Sequence, residues 1–234
     1  MLGSIGGSLV DYYWKGGVTM HPMLICSIIG LIIIIERSIV LHRVKVNTAQ
    51  VFGAIRAALM KRDLKGAIEV CDESPSPISD TLRAGLLRYG KPPADIEKAM
   101  ESVALHEISK LERGLWMLAT VANVAPLFGF LGTVTGMIKS FGVLAEVGLG
   151  NPKAVAAGIS EALITTAYGL FIALPVQAAF NYFTSRVSNF ALDMETSSAM
   201  LMETFNELGE ASSEGETVTV SAAVQTAVQP QPAS

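Results

Sequence analysis

Residues 154–185 read AVAAGISEALITTAYGLFIALPVQAAFNYFTS, and this stretch indicates the class of protein. Its 32 residues contain one charged side chain, that of Glu161. A helix that crosses a bilayer needs about 20 apolar residues, so the stretch is long enough to span a membrane. Two further stretches, 16–35 and 114–138, contain no Asp, Glu, Lys or Arg. The sequence therefore predicts an all-α membrane protein with three transmembrane helices.

The composition of the whole chain agrees with a membrane protein. Half of its 234 residues are hydrophobic and 16% are charged, against about 25% charged residues in an average soluble domain. The net charge of −4 argues against nucleic-acid binding, which needs a basic surface. Two cysteines, Cys26 and Cys71, argue against a disulfide-stapled secreted domain.

The chain carries no sequence signature of an enzyme. Its three histidines are scattered, without the spacing of metal ligands. The glycine-rich nucleotide-binding motifs and the GxSxG nucleophile motif are absent from the sequence. We therefore expect neither catalysis nor a cofactor.

The distribution of Lys and Arg predicts the orientation of the chain in the membrane. Twelve of the 17 basic residues lie within 42–114, and cytoplasmic segments are enriched in such residues. We therefore expect the N-terminus outside and the C-terminus inside. The predicted segments are an external N-terminal segment (1–17), transmembrane helix 1 (18–41), a cytoplasmic helical domain (42–113), transmembrane helix 2 (114–138), a short external connection (139–153), transmembrane helix 3 (154–185), a cytoplasmic helix extension (186–208) and a disordered acidic tail (209–234).

Prolines interrupt the helical pattern of the predicted cytoplasmic domain. Ser-Pro-Ser-Pro at 74–77 and Lys-Pro-Pro at 91–93 each predict a break between helices. From Ala94 to about Phe141 nothing forces a stop except Pro126, which kinks a membrane helix rather than ending it. One long helix is therefore expected over these residues.

A further long helix is predicted to begin at Asn151 and Pro152, which suit the N-cap and the first helical position. It continues through Pro175, a second expected kink, to about Leu208, and Gly209 suits the C-terminal cap. Both long helices exceed the thickness of a bilayer, so we expect them to project into the cytoplasm.

Glu161 is the most informative residue of the predicted spans. A carboxylate inside an apolar span is costly, so it is read first as a functional site that faces a bundle interior or water. Such a group suits a proton pathway because it can alternate between protonated and charged forms. The alternative is that Glu161, nine residues beyond Pro152, lies close enough to the external interface to be hydrated.

Four threonines accompany this carboxylate. Thr165 and Thr166 lie one helical turn beyond Glu161, and Thr133 and Thr135 lie mid-way along the second span. Hydroxyl groups both donate and accept hydrogen bonds, so they can order water or complete a polar lining. The alternative is that each hydroxyl bonds to the backbone of its own helix.

Small residues recur at helical spacing in the same two spans. They are Gly129, Gly132 and Gly136 in the second span, and Gly158, Ala162, Thr166, Gly169 and Ala173 in the third. Such rows allow helix backbones to approach closely. With the polar residues, they predict that spans two and three form one wall of an inner surface, which lines a pore if copies assemble around an axis. Packing within one chain is the plainer interpretation.

Two motifs resemble the MotA/TolQ/ExbB proton-channel family, most closely its three-span ExbB/TolQ branch. The first motif is APLFGFLGTVTGMI at 125–138, and the second is GISEALITTAYGL at 158–170, followed by Ala-Leu-Pro at 173–175 and by Asn181. The resemblance extends over residues 10–205. The MotA branch has four spans, so the three spans counted here disfavour it.

The resemblance implies a homopentamer in the bacterial inner membrane, in contact with lipid. Its second and third spans would surround the single helices of a dimeric ExbD/TolR-like partner, which carries protons on an Asp under the proton-motive force. The complex would power a TonB- or TolA-like transducer. By position in the motifs, Glu161 is the acidic residue of the third span, and Thr133 and Thr166 are the pore threonines. Thr165, which has no firm counterpart in the motif, is expected beside them.

Other functions stay open at this point. The chain can be the stator of a gliding-type motility motor, or a membrane scaffold in which the small-residue rows serve assembly only. A scaffold would not conduct protons and would tolerate replacement of Glu161 by Gln. An autonomous channel would conduct without a second subunit, which the sparse set of polar residues disfavours.

Overall fold

The structure is a computed structural model that describes residues 12–44, 48–148 and 152–227. These ranges contain seven helices of ten residues or more and no strand: α1 (Met20–Arg43), α2 (Thr48–Met60), α3 (Leu64–Glu73), α4 (Pro77–Leu86), α5 (Pro93–Glu112), α6 (Leu115–Val147) and α7 (Pro152–Ala227). Three segments are long and apolar enough to cross a membrane: Met20–His42, Pro93–Glu146 and Pro152–Gly209. The predicted all-α class with three membrane spans is confirmed.

The helices form two compact units, and the chain passes between them after Arg43, after Leu111 and after Arg186. The first unit contains α1, α6 and the part of α7 up to Arg186. The second unit contains α2 to α5 and the part of α7 from Val187 onward. The apolar spans predicted from the sequence lie in the first unit.

The second unit has a hydrophobic core of its own. Its buried residues come from four short helices and from α7: Val51, Phe52, Ile55, Leu59, Ala67, Cys71, Ile78, Leu82, Leu86, Ile96, Met100, Met194, Leu201 and Phe205. The breaks predicted at 74–77 and 91–93 are present, because α3 ends at Glu73 and α4 and α5 each begin at a proline. Ser76 caps α4 by accepting a hydrogen bond from the backbone N–H of Ser79 at 3.1 Å.

Cys71 lies inside this core and behaves as a small apolar residue. Its side chain is buried, and burial, reinforced by the negative charge of Asp72, raises the pKa of the thiol to about 11. A thiol with such a pKa is almost entirely protonated at neutral pH, so Cys71 is a packing residue rather than a reactive one.

The prediction of a single helix from Ala94 to Phe141 is wrong, because the chain forms two helices there. The chain leaves the helical conformation at Arg113 and Gly114, between α5 and α6. Gly114 has φ +89°, a left-handed conformation that glycine adopts without the steric cost of a Cβ. The side chain of Arg37 lies against it, since a Cβ on Gly114 would be 3.4 Å from Arg37 Nε. Lys110 followed by Gly114 is a typical helix-end pattern that the sequence already contained.

The α7 helix begins at Pro152, as predicted, whereas Asn151 lies outside the described residues. Its end differs from the prediction, because helical backbone continues past Leu208 to Ala227. A single glycine inside a helix costs only about 1 kcal/mol, so Gly209 does not have to end it. Disorder of the acidic tail and the segment boundaries stay predictions. Pro126 and Pro175 both lie inside helices, and a kink at each also stays a prediction.

The first unit is organised by the antiparallel contact between α6 and α7, where small residues meet. A Cβ on Gly136 would lie 2.7 Å from the carbonyl oxygen of Gly158 and 2.9 Å from the Cβ of Ala162. About three turns along, a Cβ on Gly169 would lie 2.8 Å from the carbonyl oxygen of Ala125 and 3.1 Å from the Cα of Gly129. The helix backbones are therefore in direct contact, as the small-residue rows predicted.

Helix α1 packs against the same pair of helices. A Cβ on Gly30 would lie 3.0 Å from a methyl group of Val176 on α7 and 3.4 Å from one of Val121 on α6. Much of the rest of α1 is apolar and exposed, including Ile25, Leu31 and Ile32. Such a surface suits lipid or other membrane helices.

We expect Gly136→Ala to destabilise the protein, because the new methyl group would meet the backbone of α7. Overpacking of this kind costs about 1–3 kcal/mol. Gly142→Ala is the matched control on the same helix, since nothing lies within 4 Å of a Cβ at that position. Thermal unfolding of the purified proteins in one detergent would show a lower midpoint for Gly136→Ala only. Equal midpoints would contradict the tight α6–α7 contact.

Candidate ion-pathway site

Glu161 lies on α7 at the α6–α7 contact, next to the buried Ala162. Its side chain is 16% exposed, and its carboxylate accepts a hydrogen bond from the Lys139 ammonium, with 2.5 Å between Oε1 and Nζ. Lys139 belongs to α6 and is the one charged residue between Arg113 and Glu146. The single acidic residue of the third apolar stretch therefore forms an ion pair with the single basic residue of the neighbouring helix.

Packing of the following residue holds this ion pair in register. Ser140 is buried, and its hydroxyl donates to the carbonyl oxygen of Val155 on α7 at 3.0 Å. Its Oγ also lies close to the position that a Cβ on Gly158 would occupy. These contacts fix how far α6 slides along α7, and Lys139 consequently lies beside Glu161.

The residues just before α1 also approach the carboxylate of Glu161. Gly17 has φ +69°, and a Cβ added to it would overlap Oε1 of Glu161. Both the left-handed conformation and the close approach suit glycine at this position. Sequence reasoning missed Gly17 and treated Lys139 only as the boundary of a span. The available signal was a basic residue directly after the second charge-free stretch and an acidic residue inside the third apolar stretch.

The ion pair lies on the wall of an open groove of about 510 Å³. Its charged lining residues are Lys15, Lys139 and Glu161, and Ser160 adds a hydroxyl group. Glu161 is thus neither in contact with lipid on all sides nor enclosed in a dry core. Two ammonium groups and one carboxylate give the groove a net positive charge when all three are ionised.

Thr133 and Thr166 are half-buried and lie within one helical turn of each other along the contact. The Thr166 hydroxyl donates across to the carbonyl oxygen of Gly129 at 3.2 Å and is 3.3 Å from that of Ala162. The Thr133 hydroxyl is 2.6 Å from the carbonyl oxygen of Phe130 on its own helix. Both hydroxyls use their proton within the chain and keep lone pairs that can accept a hydrogen bond.

Thr165 occupies a different environment from the other two threonines. It is fully buried at the α6–α7 contact, where a Cβ on Gly132 would overlap its side chain. Its hydroxyl bonds to the carbonyl oxygens of Glu161 and Ala162 at 3.1 and 2.9 Å. This arrangement fits the backbone-bonding interpretation of a membrane threonine, and a place for Thr165 in a pore lining stays a prediction.

The arrangement can bind and release protons at one carboxylate and can accept hydrogen bonds from water at two hydroxyl groups. Glu161 and Thr166 are five residues apart on α7, or about 7.5 Å along the helix axis. Among the residues that the structure describes, no three His, Cys, Asp or Glu side chains converge as a metal site would require. The side chains of this site provide one carboxylate, one ammonium group and several hydroxyl groups.

Comparison with known proteins places the chain in a family. The family model described as "MotA/TolQ/ExbB proton channel family" matches residues 73–196. This range includes all of α6, and it includes Lys139 and Glu161. A "Putative biopolymer transport protein ExbB-like 1" from Synechocystis is 36% identical over 182 residues, covering 76% of this chain and 71% of that protein.

Two further relatives carry related names. A "Putative biopolymer transport protein ExbB homolog" from Methanothermobacter thermautotrophicus is 31% identical over 184 residues, and the match covers 78% of this chain but 65% of that protein. A "Tol-Pal system protein TolQ" from Pseudomonas aeruginosa is 38% identical over 138 residues, covering 53% of this chain and 60% of that protein. Since the family model covers more than half of the sequence and relatives extend the match, the chain belongs to the MotA/TolQ/ExbB proton channel family.

Proposed function

We propose that the chain is the stator subunit of a proton-driven motor in a bacterial inner membrane. With a single-span ExbD/TolR-like partner, it would convert the proton-motive force into work on a TonB- or TolA-like transducer. The observation that carries this proposal is the carboxylate of Glu161, held on the α6–α7 contact of an otherwise apolar span. An ionisable residue inside a membrane span is by default a candidate functional site, and ion and proton pathways are among the functions that such residues mark.

The two half-buried threonines support the same proposal. Thr133 and Thr166 lie on the side of Glu161 away from Pro152, and their oxygens keep lone pairs available. Protons that move through a membrane protein need such polar groups along their path, because hydrocarbon solvates neither a proton nor water. Glu161 and these two hydroxyls would form one side of the pathway, and an Asp on the partner helix would form the other.

The apolar side chains that one copy leaves exposed support assembly into a ring. Phe130, Val134 and Ile138 on α6 and Leu163 and Phe171 on α7 each have at least half of their side chain exposed. In a pentamer, part of this surface would contact neighbouring copies and part would face lipid or the partner helices. We propose this assembly, with the N-terminus periplasmic and the C-terminus cytoplasmic, as the working form of the protein.

The test is reconstitution with and without a partner. The chain would be co-expressed with a single-span protein that has an Asp in its span, preferably one from an adjoining reading frame, and native mass spectrometry would give the stoichiometry. Proton uptake would then be followed in liposomes under an imposed potential. We expect a pentamer-dimer complex whose flux requires both proteins. Flux without the partner would indicate an autonomous channel, and a complex without flux would indicate a scaffold.

We expect Glu161→Gln to assemble normally and to reduce proton flux through the complex to the background of empty liposomes. Loss of a group that transfers protons lowers a rate by about 10² or more. Glu146→Gln, at an exposed position near the end of α6, makes the same change of charge and should leave the flux unchanged. Full flux in Glu161→Gln would remove this residue from the pathway.

Thr166→Val and Thr166→Ser form a second, matched pair of variants. Valine keeps the shape of threonine without the hydroxyl, whereas serine keeps the hydroxyl. We expect roughly tenfold lower flux for valine, equivalent to one hydrogen bond of about 1.4 kcal/mol in the conducting state, and nearly full flux for serine. If both variants conducted equally, the Thr166 hydroxyl would serve helix packing alone.

A further inference from the structure

We propose that Lys139 is a built-in counterion that makes Glu161 selective for protons over sodium ions. This inference rests on the proposed function, because it concerns the ion that passes Glu161. It assigns a role to a residue whose side chain contacts the carboxylate at 2.5 Å and lies on a neighbouring helix. Lys139 would be a specificity-determining residue of the pathway.

Space around Oε1 of Glu161 is limited. The Lys139 ammonium contacts Oε1, and the backbone of Gly17 closes over the same oxygen so tightly that a Cβ there would overlap it. A hard metal cation is held by several oxygen ligands arranged around it. At Oε1 of Glu161, a primary ammonium and a glycine backbone occupy the directions that such ligands would need.

The charge of the groove also opposes the entry of a sodium ion. Lys15 and Lys139 line the groove together with Glu161, and no other ionisable side chain borders it in the part of the chain that the structure describes. With both lysines protonated and Glu161 ionised, a sodium ion that enters meets a net positive groove. Its binding would also require that the Lys139 ammonium leave Oε1, because both cations compete for the same oxygen.

A proton can bind to Glu161 where a sodium ion lacks ligands. A proton needs no set of oxygen ligands, because it binds covalently to one carboxylate oxygen. Lys139 is 56% exposed, so its ammonium can turn toward the open groove when Glu161 is neutralised and return when the carboxylate ionises again. The pair therefore has two arrangements that differ by one proton on Glu161, and neither contains a metal ion.

The experiment uses dicyclohexylcarbodiimide on the full chain in detergent, with and without the partner. The reagent adds to a protonated carboxyl group: the acid proton moves to a carbodiimide nitrogen, and the carboxyl oxygen bonds to the central carbon. Mass spectrometry of the peptide containing Glu161 gives the rate of labelling. The rate is measured in sodium chloride and in choline chloride at equal ionic strength.

We expect labelling of the unmodified protein to be equal in the two salts. In Lys139→Met, labelling in choline should be faster, because the ammonium that contacts Oε1 of Glu161 is removed and the reagent reaches that oxygen. Sodium should then slow it. Lys139→Arg should behave like the unmodified protein. Lys153→Met, which removes an exposed lysine from the first turn of α7, is the matched control and should also change nothing.

Sodium-dependent labelling of the unmodified protein would overturn the proposal, as would equal behaviour of Lys139→Met and Lys153→Met. Flux in the reconstituted complex gives the second readout: it should be independent of sodium in the unmodified protein and acquire sodium dependence in Lys139→Met. Labelling needs no partner and no conduction. If the complex failed to conduct but Glu161 labelling showed the expected salt dependence, the proposed function would be rejected. The role of Lys139 as the counterion of Glu161 would still be supported.

Discussion

Direct contact between two helix backbones controls the positions of the polar groups in the first unit. At Gly136 and Gly158, α6 and α7 approach so closely that a methyl group on either glycine would collide with the facing helix. A slip of one residue would bring Ile159 toward Gly136, and its side chain does not fit between the backbones. The register is therefore fixed, and with it the hydrogen bond from Thr166 to Gly129 and the ion pair of Glu161.

The ion pair shows how an apolar span accommodates a carboxylate. An isolated charge in such a span is costly, and an opposite charge with good geometry offsets much of that cost. Here the compensating cation comes from the same chain, 22 residues earlier on α6. The position of the pair on an open groove lets water contribute as well, so Glu161 can hold a charge in the single chain.

Much of this arrangement could be predicted from sequence, for reasons of periodicity. The charge-free stretches predicted the spans, and the rows through Gly136 and Gly158 predicted the helix contact, because both depend on residue types along one helix. The partner of Glu161 could not be predicted, since pairing with Lys139 depends on the register between two helices. The burial of Thr165 was missed for a similar reason: Thr165 and Thr166 are adjacent in sequence, but only the first points directly at Gly132.

The hydrogen bonds of the threonines have a consequence for water. Thr133, Thr135, Thr165 and Thr166 each direct their proton to a backbone carbonyl oxygen. A water molecule beside Thr133 or Thr166 must therefore point one of its own O–H bonds at the helix, and its lone pairs turn outward. Water along this surface acquires a preferred dipole direction from fixed protein geometry alone. A row of such molecules has O–H bonds directed at the helix before any ion enters it.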